Sequence, residues 1–407
     1  MPLSDRAPFW PAKPEEEVFW KKIRSQFLLG PGEVYLNTGS FGAVPRPVLD
    51  CATEAMRRRE LNPTRQVEAG NLGVLEARRK LSAFLNVIPE DLAFTFNVTM
   101  SINMIVHGLT WEAGDEILAS DQEYGAIDNC LHHAARKYGV VVTRARIPVP
   151  PPDAETILKA FEKGITRRTR LILVSHIVTR TGLITPLRRL AELAREHGVL
   201  IAVDGAHAPG MIPLDLTDLG CDFYGGNCHK WLCAPKGTGF LHVRPEVQSR
   251  LRHVVVSWGY SQQGPTRGED GRPQINGRPA MHGLENWGSR DLAHFEAVGA
   301  AVDFQEGIGR ERIAGRGRQL TGYLRERMRE LDGVALLTST VPEMSGSLSA
   351  FELSGLDGID VGKELYERCR VTVPCNPAWM RVSTHYYNGF EEVDALVEGL
   401  KALRGQR

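Results

Sequence analysis

The chain has 407 residues, of which 42% are hydrophobic and 24% charged, and its 49 basic residues are balanced by 49 acidic ones. This length exceeds what a single hydrophobic core usually supports, so two domains are expected. The balanced charge argues against a general affinity for nucleic acid or anionic membranes, and no apolar run approaches the ~18 residues that a membrane span needs. Because the N-terminal residues lack the basic start and apolar block of a signal peptide, a cytoplasmic protein is expected.

The seven cysteines are scattered along the chain without the spacing of a disulfide framework. Cys228, His229 and Cys233 lie close together, but no second pair follows at zinc-site spacing. We therefore expect free thiols and no metal site.

Strands and helices alternate through the first two thirds of the chain. Residues 1–30 carry aromatic and acidic side chains at helical spacing, which predicts an arm packed on the body. Strands are predicted at 92–96, 116–119, 140–145, 170–175 and 200–203, with helices beginning near 48 and covering 72–85, 127–138, 154–163 and 187–197. This alternation predicts a mainly parallel sheet with helices on both faces.

Polar residues follow the predicted strands at their carboxyl ends, at 97–101, 124, 176–180, 204–207 and 227–230. Ligands of parallel α/β sheets bind at that edge, so these segments can converge on one site. The Asn-, Thr- and Ser-containing segment at 97–101 opens a predicted helix. It can hold a phosphate with backbone N–H groups and hydroxyls, although the same residues are also ordinary helix caps.

The stretch 200–239 combines an acid with a lysine. A buried strand ends on Asp204, and Lys230 lies between a polar run and a tryptophan. A pyridoxal phosphate enzyme needs a lysine for the Schiff base and an acid that keeps the pyridine nitrogen protonated. Taken singly, a helix-capping aspartate and a solvated lysine would be the simpler interpretation; their spacing and neighbours favour the cofactor.

A second, smaller unit is predicted after a polar segment at 257–290 that is rich in glycine and proline. Two helices near 292–308 and 313–331 lead into short strands near 335–337, 347–351 and 380–382 and helices near 358–370 and 390–404, an α+β layer. The predicted division is an arm at 1–30, a large domain at 31–295 and a small C-terminal domain at 296–407.

Four segments together resemble one enzyme family: YLNTGSFG at 35–42, TRTG at 179–182, NCHKW at 227–231 and RVSTHYYN at 381–388. They are similar to fold-type I pyridoxal phosphate enzymes of the class V aminotransferase group, and within it to the isopenicillin N epimerase-like branch. The resemblance covers nearly the whole chain. It implies a three-layer α/β fold with a mainly parallel sheet, a smaller α+β C-terminal domain, and pyridoxal 5'-phosphate as cofactor.

The resemblance also implies roles for individual residues. Lys230 would form the Schiff base, and Asp204 would pair with the pyridinium nitrogen. Around the cofactor, Tyr124 would stack on the ring, His207 and Thr179 would lie near its phenolic oxygen, and Thr99, the Met100 backbone, Asn227 and His229 would hold the phosphate. Ser289 would reach the phosphate of a neighbouring subunit, which implies a homodimer with shared active sites.

An amino-acid substrate would be held mainly by Arg381, which the resemblance implies as a bidentate clamp for the α-carboxylate, with Ser40 beside it. Arg180 binds a distal carboxylate or forms a structural pair, and the sequence leaves both readings open.

The reaction is the least determined feature. Epimerisation and β-elimination, the latter as a C–S lyase, cannot be separated by sequence, and transamination is a further alternative. A cysteine desulfurase needs a nucleophilic cysteine; Cys375 is the candidate, but it lies closer to Arg381 than the desulfurase pattern has it and lacks the flanking histidine. A cofactor-binding protein without turnover is disfavoured, because Lys230 is present and the N-terminal arm is too short for a DNA-binding module.

Overall fold

The structure, a computed structural model, describes residues 14–257, 260, 266–275 and 278–405, except for the side chains of residues 14 and 66–71. The helices are α1 (Pro14–Arg24), α2 (Arg46–Glu60), α3 (Pro63–Leu85), α4 (Val98–Gly108), α5 (Gly125–Tyr138), α6 (Ala154–Gly164), α7 (Leu187–Glu196), α8 (Leu216–Leu219), α9 (Ala280–Gly283), α10 (Ala293–Ile308), α11 (Arg310–Arg329), α12 (Gly358–Cys369) and α13 (Phe390–Gly405). The strands are β1 (Val34–Tyr35), β2 (Leu92–Thr95), β3 (Glu116–Ser120), β4 (Val141–Ala145), β5 (Thr169–Ser175), β6 (Leu200–Gly205), β7 (Phe223–Asn227), β8 (Gly239–Val243), β9 (Thr266–Arg267), β10 (Pro273–Ile275), β11 (Arg278–Pro279), β12 (Val334–Leu336), β13 (Leu348–Leu353), β14 (Val371–Thr372), β15 (Cys375–Asn376) and β16 (Trp379–Ser383).

The large sheet has seven strands in the order β2-β8-β7-β6-β5-β3-β4. β8 runs antiparallel to both of its neighbours, and the other strands run parallel to one another. Along β5, Ile172 and Val174 join a core with helices α2, α3, α6, α7 and α10, whereas Leu171 and Leu173 face α4 and α5. The alternating burial gives three layers, which confirms the predicted fold class.

The carboxyl ends of β2, β3, β5, β6 and β7 all lie at the same edge, because these five strands are parallel. The polar segments predicted to converge follow these ends. Convergence at one edge is therefore a consequence of the strand directions.

A second sheet, with the order β12-β13-β16-β15, is antiparallel and lies in the C-terminal part of the chain. Its core contains residues of α11, α12 and α13 together with Leu36. The adjoining β1 pairs with β14, so the segment at 34–36 packs on the C-terminal unit. The division into an arm at 1–30 and domains meeting at 295 stays a prediction.

The N-terminal helix α1 is held by aromatic contacts. Trp20 and Phe27 are buried, and their rings lie within 6.4 Å of the ring of Tyr386. Phe27 also contacts the ring of Tyr387 at 4.7 Å. Burying aromatic rings of this size is a strong driving force for ordering a terminal segment.

Among the helices that the structure describes, none is long and apolar enough to cross a membrane.

The polar segment at 257–290 contains regular elements. Its described residues form the antiparallel strands β9, β10 and β11 and the helical turn α9. Its end closes the edge of the large sheet, since Glu285 accepts the amide of Phe94 at 3.1 Å and pairs with buried Arg78, which donates to the carbonyl of Leu92 at 2.7 Å. Capping the edge strand in this way removes unpaired backbone groups that would invite other strands.

Candidate active site

Lys230 lies in a turn after β7, at residues 227–234, here called the lysine turn. The turn is packed against the glycine loop at 37–42: the amide of Gly42 donates to the carbonyl of His229 at 2.9 Å. A Cβ on Gly42 would lie 1.9 Å from the carbonyl oxygen of Lys230. Only glycine allows this approach, so the loop and the turn fix each other's position.

The amine of Lys230 is buried and lies 3.3 Å from Nε2 of His207. Burial lowers the pKa of Lys230 to about 8; Asp204 opposes this shift and Arg381 adds to it. A substantial fraction of the amine is therefore neutral near physiological pH. A neutral amine is both the nucleophile for a carbonyl and a general base.

The proton of His207 is placed by its neighbour Trp231. The indole Nε1–H can only donate, and it donates to Nδ1 of His207 at 3.2 Å. Burial holds the pKa of His207 well below its usual range, so the ring is neutral and carries its single proton on Nε2. That nitrogen faces both the Lys230 amine and the hydroxyl of Thr179, 3.2 Å away.

Asp204 lies near the end of β6 and is buried. The amide of Ala206 donates to its Oδ1 at 2.9 Å, and its other oxygen has no hydrogen bond to any residue that the structure describes. Burial raises the pKa of this carboxyl, against the Ala206 hydrogen bond and the charge of Lys230. A desolvated carboxylate with one unused oxygen is suited to a cationic N–H group.

The first turn of α4 offers a place for an anion. Asn97 caps the helix by accepting the amide of Met100 at 3.0 Å, and Asn227 accepts the amide of Val98 at 2.9 Å. Within the described part of the chain, the amide and hydroxyl of Thr99 donate to no other residue. A helix N-terminus with a free N–H group and a hydroxyl favours a phosphate.

Two of the predicted phosphate ligands are already engaged in the structure. The Met100 amide, expected on the phosphate, is used by the Asn97 cap. His229 donates from Nδ1 to the carbonyl of Thr238 at 3.0 Å, and burial lowers its pKa to about 4. Its Nε2 therefore carries a lone pair, and it would need a proton to bind an anion.

Arg381 provides a buried cation. It donates to the carbonyl and hydroxyl of Thr179 at 3.1 and 3.0 Å, to Ser40 at 2.9 Å and to Asn37 at 3.2 Å. No carboxylate pairs with it among the described residues, and burial lowers its pKa to about 10. A desolvated guanidinium held by neutral acceptors still lacks a counterion, which a substrate carboxylate would supply.

Three predicted site residues have different placements. Tyr124 precedes α5 with a half-exposed ring, and its interaction with the charge of Arg381 places it near the same edge. Arg180 is exposed, with its guanidinium 5.9 Å from the centre of the Trp379 ring. Ser289 is exposed beside Gly288, and no contact within the described residues joins it to the Lys230 site.

Sequence reasoning missed residues that the strand ends bring into the site. Glu123 is buried and accepts the hydroxyls of Ser120 and Ser175. Burial raises its pKa to about 7, with a contribution from Asp204. Its position after a predicted strand, one residue before Tyr124, was the available signal. Asn37 had none, because its contact with Arg381 joins residues 344 positions apart.

The family model described as aminotransferase class-V matches residues 34–396. The chain belongs to this family. It is 39% identical to the isopenicillin N epimerase of Amycolatopsis lactamdurans, over 94% of this chain and 98% of the relative, and 37% identical to that of Streptomyces clavuligerus, over 95% and 99%. A solved structure of the cystine C-S lyase C-DES with its reaction product cysteine persulfide is 25% identical, with a TM-score of 0.79, and covers 90% of this chain and 97% of that one.

The family and its solved structures identify the cofactor as pyridoxal 5'-phosphate. The donor set of this chain fits it. Asp204 has the unused oxygen for the pyridine nitrogen, and Lys230 has the amine for the aldehyde carbon. The free amide and hydroxyl of Thr99 and the side-chain amide nitrogen of Asn227 are suited to the phosphate, whereas Nε2 of His229 would first have to gain a proton. These residue assignments are our proposals.

Proposed function

We propose that this protein is a pyridoxal phosphate-dependent amino-acid epimerase, which removes the Cα proton of its substrate and returns it to the opposite face. The observation that carries the proposal is the buried amine of Lys230, whose pKa is lowered to about 8, beside a buried Arg381 without a counterion. Full-length similarity to two proteins named isopenicillin N epimerase supports it.

Different residues of the chain would bind the substrate, remove its Cα proton and return a proton to Cα. The bound cofactor withdraws electrons from the substrate's Cα. Arg381 holds the α-carboxylate, which orients the Cα–H bond, and neutral Lys230 accepts the proton. The single lone pair of neutral Lys230 must be free to take this proton, so Nε2–H of His207 would donate instead to the hydroxyl of Thr179, 3.2 Å away. Epimerisation also needs a second proton donor, for which we propose the hydroxyl of Tyr124.

β-Elimination is the second candidate, because it needs only one base and the amine of Lys230 supplies it. The solved relative described as a cystine C-S lyase favours the same reaction. Elimination breaks the bond between Cβ and its substituent after the Cα proton is removed. It therefore leaves no role for an acid on the opposite face.

Persulfide chemistry finds little support in the placement of Cys375. The thiol packs in the core of the C-terminal unit against Gly362 of α12, and burial raises its pKa to about 12. A nucleophilic cysteine needs a lowered pKa and access to the substrate. Transamination stays a sequence-based alternative, recognisable by formation of a 2-oxo acid.

The deciding experiment incubates the holoprotein in D₂O with cysteine, S-substituted cysteines and δ-linked peptides, followed by chiral and mass analysis. Deuterium at Cα with inverted configuration supports epimerisation. Pyruvate with a released thiol supports elimination instead, and a 2-oxo acid supports transamination.

Borohydride reduction followed by peptide mapping should place the cofactor's mass on the peptide that contains Lys230; its appearance on another lysine would refute that assignment.

Tyr124→Phe separates the two leading reactions, since it keeps the ring and removes the hydroxyl. We expect epimerisation to fall by about 100-fold, the usual contribution of a general acid, while exchange of the Cα proton with solvent continues. Exchange and inversion that fall together would contradict the role of Tyr124 as the second acid. An elimination reaction should be little affected.

We further propose a homodimer with shared active sites. Ser289 is exposed and does not reach the site of its own chain, and the neighbouring helices α2 and α3 with their connection expose Leu49, Met56, Leu61, Leu72 and Leu75. Exposed apolar side chains on adjacent helices are typical of an interface.

The sharing of sites can be tested by mixing inactive Lys230→Ala with inactive Ser289→Glu. About a quarter of the wild-type activity should return, because about half of the dimers would be mixed and each mixed dimer would hold one intact site out of two. No recovery in a sample that sediments as mixed dimers would contradict the sharing.

A further inference from the structure

A second cation lies next to the carboxylate clamp, at the tip of the turn after β5. In residues 176–183 all side chains are buried or half-buried except that of Arg180. The turn is held by the amide of Gly182 donating to the Val178 carbonyl at 2.8 Å, and by the hydroxyl of Thr181 donating to Gln122 at 3.3 Å. Arg180 therefore extends from a well-anchored backbone to the protein surface.

The same turn also positions Arg381, the proposed clamp for the α-carboxylate. Thr179, the residue before Arg180, accepts two hydrogen bonds from Arg381 through its carbonyl and hydroxyl oxygens. The two guanidinium groups are thus linked by one backbone position. One is buried at the inside of the site and the other is exposed at its outside.

The indole ring of Trp379 lies beneath the guanidinium of Arg180. Side chains alternate along β16, where Met380 and Val382 are fully buried in the core of the C-terminal unit, so Trp379 shares the opposite face with Arg381. The guanidinium of Arg180 lies over this indole at 5.9 Å from the ring centre. This cation–π contact uses none of the N–H donors of the guanidinium, which stay available for an anion.

No acidic side chain neutralises Arg180 within the described part of the chain. Many other exposed arginines do pair, including Arg188 with Asp218 and Arg189 with Glu155. An oriented, unpaired arginine one residue from Thr179, which accepts two hydrogen bonds from the α-carboxylate clamp, differs from an ordinary solvated surface arginine.

We propose that Arg180 and Trp379 form a distal anion subsite, which selects amino-acid substrates that carry a second carboxylate at the far end of the side chain. The α-carboxylate binds Arg381 and the distal carboxylate binds Arg180, while the indole covers the apolar part between them. This inference rests on the proposed function, since it names the substrate class of the same site.

The test measures binding without turnover, so that it can fail independently of the reaction. Glutarate, adipate and pimelate are compared with their monomethyl esters by calorimetry on the holoprotein. These probes lack an amine, and each ester differs from its acid only by neutralisation of one carboxylate. We expect the best-fitting diacid to bind about tenfold more tightly than its ester, and the ratio to fall as salt is added.

The variants assign the discrimination to residues. Arg180→Ala should bring the ratio close to one, Arg180→Lys should keep part of it, and Trp379→Leu should lower it to an intermediate value. Arg167→Ala, which removes an exposed arginine before β5 at the other edge of the sheet, should leave it unchanged. The proposal is overturned if the wild type does not distinguish any diacid from its ester, or if Arg180→Ala keeps the full ratio. Either result would leave the epimerase assignment standing, since that depends on the D₂O experiment.

Discussion

Replacing Glu123 by glutamine should make the stability of the protein less dependent on pH. The carboxyl is buried between Ser120 and Ser175, and burial raises its pKa from an ordinary value near 4.5 to about 7. The folded protein thus binds this proton more tightly than the unfolded chain does. The contribution of this group to the free energy of unfolding is fully present below about pH 4.5 and is lost as the pH rises through about 7. The difference between the two pKa values corresponds to about 3 kcal/mol.

Glutamine at this position has the same shape and carries no charge, so Glu123→Gln should not lose this stability at high pH. Urea unfolding of the apoprotein, followed by tryptophan fluorescence, should show the variant gaining about 2 kcal/mol on the wild type between about pH 5 and pH 8.5. Glu162→Gln, at an exposed position of α6, should show no such trend. The reasoning would be refuted if the difference in free energy of unfolding between Glu123→Gln and the wild type stayed constant over this pH range or became smaller at high pH.

Three further predictions concern the site and its support. In Trp231→Phe the indole donor is lost, so His207 should place part of its proton on Nδ1; ¹⁵N NMR of histidine-labelled apoprotein reads this directly, and an unchanged Nε2–H signal would contradict the tautomer assignment. Gly42→Ala should destabilise the protein by more than about 3 kcal/mol in urea because its Cβ meets the backbone of the lysine turn, whereas Gly125→Ala, which meets no atom within 4 Å, should change stability by less than about 0.5 kcal/mol. Cys375→Ala should keep the activity found with the amino-acid panel, and loss of sulfide release from cysteine in this variant would instead support persulfide chemistry.

Strand patterns were predictable because burial is periodic in sequence. Within the strand predicted at 170–175, residues 171–174 are apolar and buried on both faces, and the prediction covers all of β5 except Thr169. β8 was missed: its five residues follow the glycine-rich turn at 236–239, and it is the one described strand of the large sheet that runs antiparallel. A strand's direction depends on which strand it pairs with, and that information is not local.

The sequence by itself predicted that the polar strand ends could converge, and it predicted Asp204, Lys230 and Arg381 as site residues. Asp204 ends a buried strand of recognisable pattern, and the segments around Lys230 and Arg381 resemble those of an enzyme family. Only the tertiary structure decided how these groups are tuned. The proton of His207 is placed by Trp231, 24 positions away, and Arg381 is held by Ser40, 341 positions away. The pKa of Lys230 depends on burial by the folded chain. Hydrogen bonds over such separations, and the desolvation that shifts a pKa, arise only after distant segments pack together.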